Sequence, residues 1–288
     1  MQNNRPSIHR HAGQWPGLAL LAVIVIPTGW AITYSVVYSL GGIGTFSQGW
    51  TLKHWRSAFQ AGGLKESLIF SSVIAGIVTL AALTGSLMVV LIAPQSRRSS
   101  LVLATLGIPL ATPSAVMAVM AYQILNPGGF LSRLCFHAGM ITSPSQFPAF
   151  VNDPWAVGIV VAQSCNALPL LTLYFLKVWT TARIDRYCMI AQALGSSTAR
   201  ARWRVALPML LYRGRQMIML TFLLNLGSYE IPLLLGRQSP QMFSVLTQQR
   251  FGQYDLLERP QAFVLATTYL LLVGMGVKLM LAWRSTHV

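Results

Sequence analysis

Charge is scarce in this sequence: 9% of its 288 residues are charged and only six are acidic, where an ordinary soluble domain carries about 25% charged residues. A water-soluble globule is excluded on that ground. Histidine is sparse too, and His9, His11, His54, His137 and His287 all fall outside the long apolar runs. Neither paired haem ligands nor a His-Glu-x-x-His metal site can therefore be built within those runs. None of Lys53, Lys65, Lys177 and Lys278 follows a glycine, so a phosphate-binding loop is missing. Three cysteines, Cys135, Cys165 and Cys188, supply no disulfide framework. Ser71, Ser72, Thr79 and Ser86 have no partner base near them in the sequence and read as helix-packing groups. An enzyme seated in the membrane thus finds no nucleophile, base or metal ligand set to work with.

What is present is apolar length. Hydrophobic residues make up 54% of the chain, and stretches of the roughly 20 residues needed to cross a bilayer fall at about 15–40, 67–93, 101–125, 155–176, 216–235 and 261–283. Six spans in an all-α membrane protein are the expectation, with a polar tail at 1–14 and a single membrane domain from 15 to 288. The net charge of +15 could point to nucleic acid, but its distribution follows the spans. Of the 21 Lys and Arg, 14 lie on the side that an even number of spans shares with both termini, among them Arg97, Arg98, Arg183, Arg186, Arg202 and Arg213. Asp185 is the lone acid there, whereas Glu66, Asp153, Glu230, Asp255 and Glu258 lie on or open towards the other side. The positive-inside rule then places the termini in the cytoplasm. Basicity is topology, and no nucleic-acid partner is expected.

The connections are unequal. Residues 95–100 form a tight cytoplasmic turn, while 177–215 is a long cytoplasmic segment whose length marks it as functional. On the outer side, 126–154 holds Pro127, Pro144, Pro148 and Pro154 and leaves room for a short interfacial helix near 131–138, and 237–260 is the other sizeable loop. Proline also enters the spans, at Pro109, Pro113, Pro169 and Pro232. Each removes a backbone donor and kinks or unwinds its helix, which at membrane depth is tolerated where a cavity is lined. Pro109 and Pro113, one turn apart, make the third span a candidate path wall. Glu230, beside Tyr229 and Pro232, reads either as a helix-end acid satisfied near the outer surface or as a gate for a cationic solute.

Within the long cytoplasmic segment, Asp185 to Leu194 is a good helix former, Gly195 ends or turns it, and Ser196, Ser197 and Thr198 offer caps for a second helix. A helical hairpin results. The segment resembles the cytoplasmic loop of bacterial ABC importer permeases, whose pattern is Glu-Ala-Ala, three residues, Gly, nine residues, Ile, one residue, Leu-Pro. Ala191, Gly195, Leu207 and Pro208 match at those spacings, Val205 stands for the Ile, and Met189 and Ile190 occupy the Glu and first Ala positions. Asp185, one turn earlier, is the candidate substitute for the acid. Gly227 to Gly236, Asn152 to Trp155 and Asp255 to Gln261 resemble the polyamine, ferric-iron and phosphonate branch of that family.

The resemblance implies a type I importer permease fold in which the hairpin is a coupling helix seated in an ATPase cleft. It implies two ATP-binding subunits, a second permease subunit, a periplasmic binding protein and residence in a bacterial inner membrane, with a polyamine-like solute as cargo and no cofactor. The rival class is a gradient-driven transporter or a channel, which would often show charges in several spans or an internal repeat. Only Glu230 offers such a charge, and a channel has no reason to carry the hairpin. If Glu230 gates a cationic solute, Glu230→Gln lowers transport at limiting substrate; transport unchanged at both limiting and saturating substrate would remove that role.

Overall fold

Hydrocarbon offers no partner to a backbone N–H or C=O, so an apolar run at membrane depth must close its hydrogen bonds internally as a helix. The computed structural model, which describes residues 15–44, 49–60, 62–92, 100–253 and 259–285, contains no strand among those residues. Its helices are α1 (Trp15–Ser39), α2 (Lys53–Gln60), α3 (Leu64–Ile92), α4 (Ser100–Ala111), α5 (Ser114–Leu125), α6 (Phe130–His137), α7 (Val157–Thr181), α8 (Ile184–Ala193), α9 (Thr198–Ala201), α10 (Leu207–Leu226), α11 (Glu230–Leu235), α12 (Phe243–Phe251) and α13 (Arg259–Ser285). A 3-10 turn lies at Pro144–Gln146 and a π-helical segment at Arg202–Ala206. The polar tail 1–14, the turn bearing Arg97 and Arg98, and the run Asp255 to Glu258 lie outside the described residues.

Among the described residues, four helices are long and apolar enough to cross a membrane: Ala19–Ser39, Leu64–Ile92, Val157–Thr181 and Arg259–Ala282. These coincide with the first, second, fourth and sixth expected spans. The expectation of six continuous spans fails at the other two. The third is two pieces, Leu101–Ala111 and Ser114–His137, bent by 96°, so the total is five only if that pair is one span. Pro113 is the cause: it has no N–H to donate and disfavours helical backbone at the residue before it, Thr112. Its own backbone is extended, with φ −57° and ψ 143°. Pro109, by contrast, sits inside α4 without breaking it.

The fifth expected span, 216–235, is also divided. Helix α10 starts earlier, at Leu207, includes Arg213 and Arg215, and stops at Leu226. A break at Gly227 to Tyr229 then separates it from the six-residue α11. Pro232 cannot donate to the carbonyl of Ser228, and its ring would meet that carbonyl in a continuous helix. The expected boundary at 215 followed the arginines, and helix propensity was not disturbed by them.

The chain forms two compact units, one of residues up to 60 with 250–272, the other of 61–249 with 273–288. In the first, the Tyr38 ring lies 4.1 Å from that of Phe263, and Phe251 meets Phe263 edge-on at 5.0 Å. Ser35 Oγ is 3.3 Å from Thr267 Oγ1, joining α1 to α13 within the same unit.

The second unit is built around α7. Helices α3, α4, α5, α10 and α11 all pack on it, and Ile159, Ala162, Leu171, Phe175 and Trp179 are buried at helical spacing along its length. Between apolar helices in lipid, close van der Waals packing replaces the hydrophobic effect as the source of association, and small residues permit it. Gly214 on α10 faces the fully buried Phe175 ring, which a Cβ there would overlap. Gly76 on α3 has open space instead. Gly214→Ala is therefore expected to destabilise the protein by about 1–3 kcal/mol through overpacking, while Gly76→Ala stabilises it by about 0.5–1 kcal/mol through helix propensity. Thermal unfolding of the two variants in detergent, side by side, checks the contrast.

Candidate functional site

Helix α7 ends where Ala182 caps it and Arg183 enters the left-handed region at φ 52°. That turn redirects the chain into α8. Ile184 and Cys188, one turn apart, are buried on its inner side, and Ala191 packs against the same core. The remaining faces are solvent-facing: Asp185 and Arg186 are exposed, Met189 is 58% exposed and Ile190 59%.

Gly195 then does what its position in the sequence implied. Its φ is +90°, its N–H donates to the Gln192 carbonyl at 2.9 Å, and the N–H of Ser196 donates to Ala191 at 3.0 Å. That pair of bonds is a Schellman cap, which satisfies the last carbonyls of α8 through a left-handed residue. Ser197 opens the return arm with extended backbone, and its hydroxyl accepts from the Arg200 N–H at 3.4 Å. Leu194, at the tip, is 84% exposed, and Trp203 on the return arm is 56% exposed.

The return arm passes through the π-helical segment Arg202–Ala206, where the Leu207 N–H reaches back five residues to the Arg202 carbonyl. A wider turn just ahead of Pro208 relieves the contact a proline ring makes with the carbonyl four residues before it. Val205 and Leu207 are half-buried, Leu207 packing against the core, and Pro208 is exposed.

Two contacts fasten the hairpin to the long helices. The Trp179 indole N–H donates to Asp185 Oδ1, joining the end of α7 to the start of α8, with the Trp179 ring itself buried. Arg202 Nη1 donates to the Leu91 carbonyl at 3.0 Å. A guanidinium at the last turn of α3 satisfies a terminal carbonyl and meets the negative end of the helix dipole. Arg202 had counted in the sequence only toward membrane topology; its partner lies 111 positions away, beyond any local pattern.

The expected path residues form a separate group. Helix α10, with 20 residues, spans about 30 Å at 1.5 Å per residue and stands between Leu207 and the break at Tyr229. Helix α11 packs on α5, so Glu230 and Pro232 are on an element adjoining the one that Pro113 begins. Pro232 is buried, Tyr229 and Glu230 are half-buried, Pro109 is half-buried and Pro113 exposed. Glu230 occupies the first turn of α11, where free backbone N–H groups favour a carboxylate.

The segment Asn152 to Trp155 has a local explanation. Asp153 Oδ2 accepts from the Val157 N–H at 2.8 Å and caps α7, while Asn152, at φ 57°, donates its N–H to the Leu235 carbonyl at 2.9 Å. One signature segment thereby holds the other. The sequence reading also passed over Gln163, Ser164 and Asn166 within the apolar run of α7. Gln163 is 2% exposed, and neither its amide nitrogen nor its oxygen has a partner among the described residues.

No family model matches the sequence, and no curated protein matches it. Among solved structures, the fold is shared with a chain of a bacterial ABC transporter involved in the import of the acidic polysaccharide alginate. The TM-score is 0.68 at 14% identity, over 96% of this chain and 93% of that one. The chain thus shares that chain's fold, and its long apolar helices are those of a membrane protein.

Loss of the left-handed glycine costs about 1 kcal/mol, so Gly195→Ala is expected to speed amide exchange across Ile184–Ala201 by about fivefold. Arg202→Met is expected to free the last turn of α3 in addition. Exchange measured by mass spectrometry should show both effects with α7 unchanged.

Proposed function

We propose that this chain is a permease subunit of an ATP-driven ABC importer, forming half of a translocation path in a bacterial inner membrane with both termini cytoplasmic. The observation that carries the proposal is the hairpin from Asp185 to Pro208. Its inner side is fixed to α7 and α3 through Trp179 and Arg202, while Met189, Ile190, Leu194 and Trp203 face outward beside the exposed Arg186, Arg200 and Arg204. Apolar side chains ringed by arginine are unsuited to hydrocarbon and suited to a groove on a protein partner. The shared fold with an ABC transporter chain supports the same reading.

Two ATP-binding subunits would dock on this hairpin and its counterpart on a second permease subunit, and a periplasmic binding protein would deliver the solute to the opposite face. The rigid attachment to α3 and α7 is the means by which closure of the ATPases would reach the spans. Pro109, Pro113, Tyr229, Glu230 and Pro232 are the proposed path wall, with the bend at Pro113 and the break before α11 as the elements that reorient. The polyamine-like cargo implied by the branch resemblance gains no support from the neighbour, whose cargo is an acidic polysaccharide.

Docking is tested by affinity purification of the tagged chain from its native membranes. The unaltered chain is expected to bring down an ATP-binding subunit, and Ile190→Glu or Leu194→Asp to cut its yield at least about tenfold, as loss of an interface anchor does. Asp185→Asn separates two roles. Asparagine can still accept from Trp179, so a fall in yield assigns Asp185 a charge contact with the ATPase. Unchanged yield in all three variants would sink the docking role of the hairpin.

A further inference from the structure

A cavity of about 630 Å³ opens beside α11, at the end of α10 away from the hairpin, and is lined by Tyr122, Asn152, Arg237, Gln238, Gln241 and Gln249 together with apolar residues of α11 and α12. Its size is that of a small-solute site. Its chemistry is one-sided. Arg237 supplies a permanent positive charge and the rest are amides and a phenol, and among the described residues no carboxylate lines it. The two nearest acids in sequence do not line it: Asp153 caps α7 through Oδ2, with its Oδ1 buried and unpartnered among the described residues, and Glu230 lies in the first turn of α11.

Among the described residues, two lining groups are buried without partners: the Arg237 Nε–H, which can only donate, and Gln241 Oε1, which can only accept. The Arg237 guanidinium carbon lies 5.8 Å from the centre of the Phe70 ring, which orients the fork without using its Nε–H. Such a polar atom away from water is costly unless a ligand completes it. The Nε edge is one of those with which a guanidinium grips an oxyanion through two parallel hydrogen bonds. A hydroxyl beside that oxyanion would complete Gln241 Oε1.

We propose that this cavity is a solute-binding site for a hydroxylated oxyanion, with Arg237 holding the anionic group and Gln241 a hydroxyl. This deepens the permease reading by naming the substrate class, and as a transport site it rests on that reading. Among the described residues lining the cavity, a cation of the polyamine kind finds no counter-charge.

The test places a reporter thiol at Gln249→Cys in the full-length chain with Cys135, Cys165 and Cys188 replaced by serine or alanine, and compares a sulfonate-bearing with a trimethylammonium-bearing methanethiosulfonate reagent. Rates are normalised to a free thiol. One fixed charge within about 6–8 Å shifts local concentrations of the two reagents in opposite senses by about threefold each, so the sulfonate is expected to lead by about tenfold. Arg237→Gln should abolish that lead and Arg237→Lys keep it. A lead of unity or less, or one that survives Arg237→Gln, overturns the proposal.

A second readout needs no arginine variant. Gluconate at 10 mM, on the order of the upper end of weak solute sites, is expected to slow labelling at Gln249→Cys, while sorbitol, which lacks the carboxylate, and spermidine do not. Protection by glucose 6-phosphate in place of gluconate assigns the anion as phosphate. Protection by spermidine, or by none of these solutes, overturns the site. Should labelling behave as expected while the chain captures no ATP-binding subunit, the permease reading falls and the site stands; the opposite pattern removes the site alone.

Discussion

Helix α7 is the constraint on which the larger unit depends. A helix buried on so many sides cannot shift alone, because each neighbour is keyed into it by shape: Gly214 accepts the Phe175 ring, and Gly85 lies against Leu168. Such contacts are worth little singly and a great deal together. They also determine what is attached at either end. At one end Trp179 and Asp185 fix the hairpin; at the other Asp153 and the crossing of Gly158 under the Phe150 carbonyl fix the loop that holds α11. A displacement of the hairpin is thus a displacement of a single rigid lever, with no need for a chain of small adjustments.

How much of this was legible beforehand depended on whether the signal was local. Apolar length marked α1, α3, α7 and α13, since each is a run that must satisfy its own backbone. Gly195 and Ser197 declared the hairpin turn because left-handed backbone and side-chain caps have few residue solutions. The prolines showed that the third and fifth spans were irregular, but the angle at Pro113 is set by what α4 and α5 pack against. The start of α10 was misplaced by eight or nine residues because a charge-free window was used as the boundary, and arginines extend a helix as well as leucine does.

The parts of the candidate site that escaped the sequence are long-range pairings. Arg202 with Leu91, and Asn152 with Leu235, are separated by 111 and 83 positions, and nothing at either residue alone announces the other. Gln163 was visible as an amide in an apolar run. What was invisible is that it would be turned inward, where an amide is costly without a partner.

The π-helical segment between Arg202 and Ala206 has a geometric meaning beyond making room for Pro208. It stores one residue more than an α-helical turn requires. If that surplus residue migrates along the arm, the helix on one side rotates by about 100° against the other and slides by about 1.5 Å, with the same number of backbone bonds before and after. Such a migration would turn a push along the arm into a rotation of α10 about its own axis, opposed by the Phe175 ring seated against Gly214.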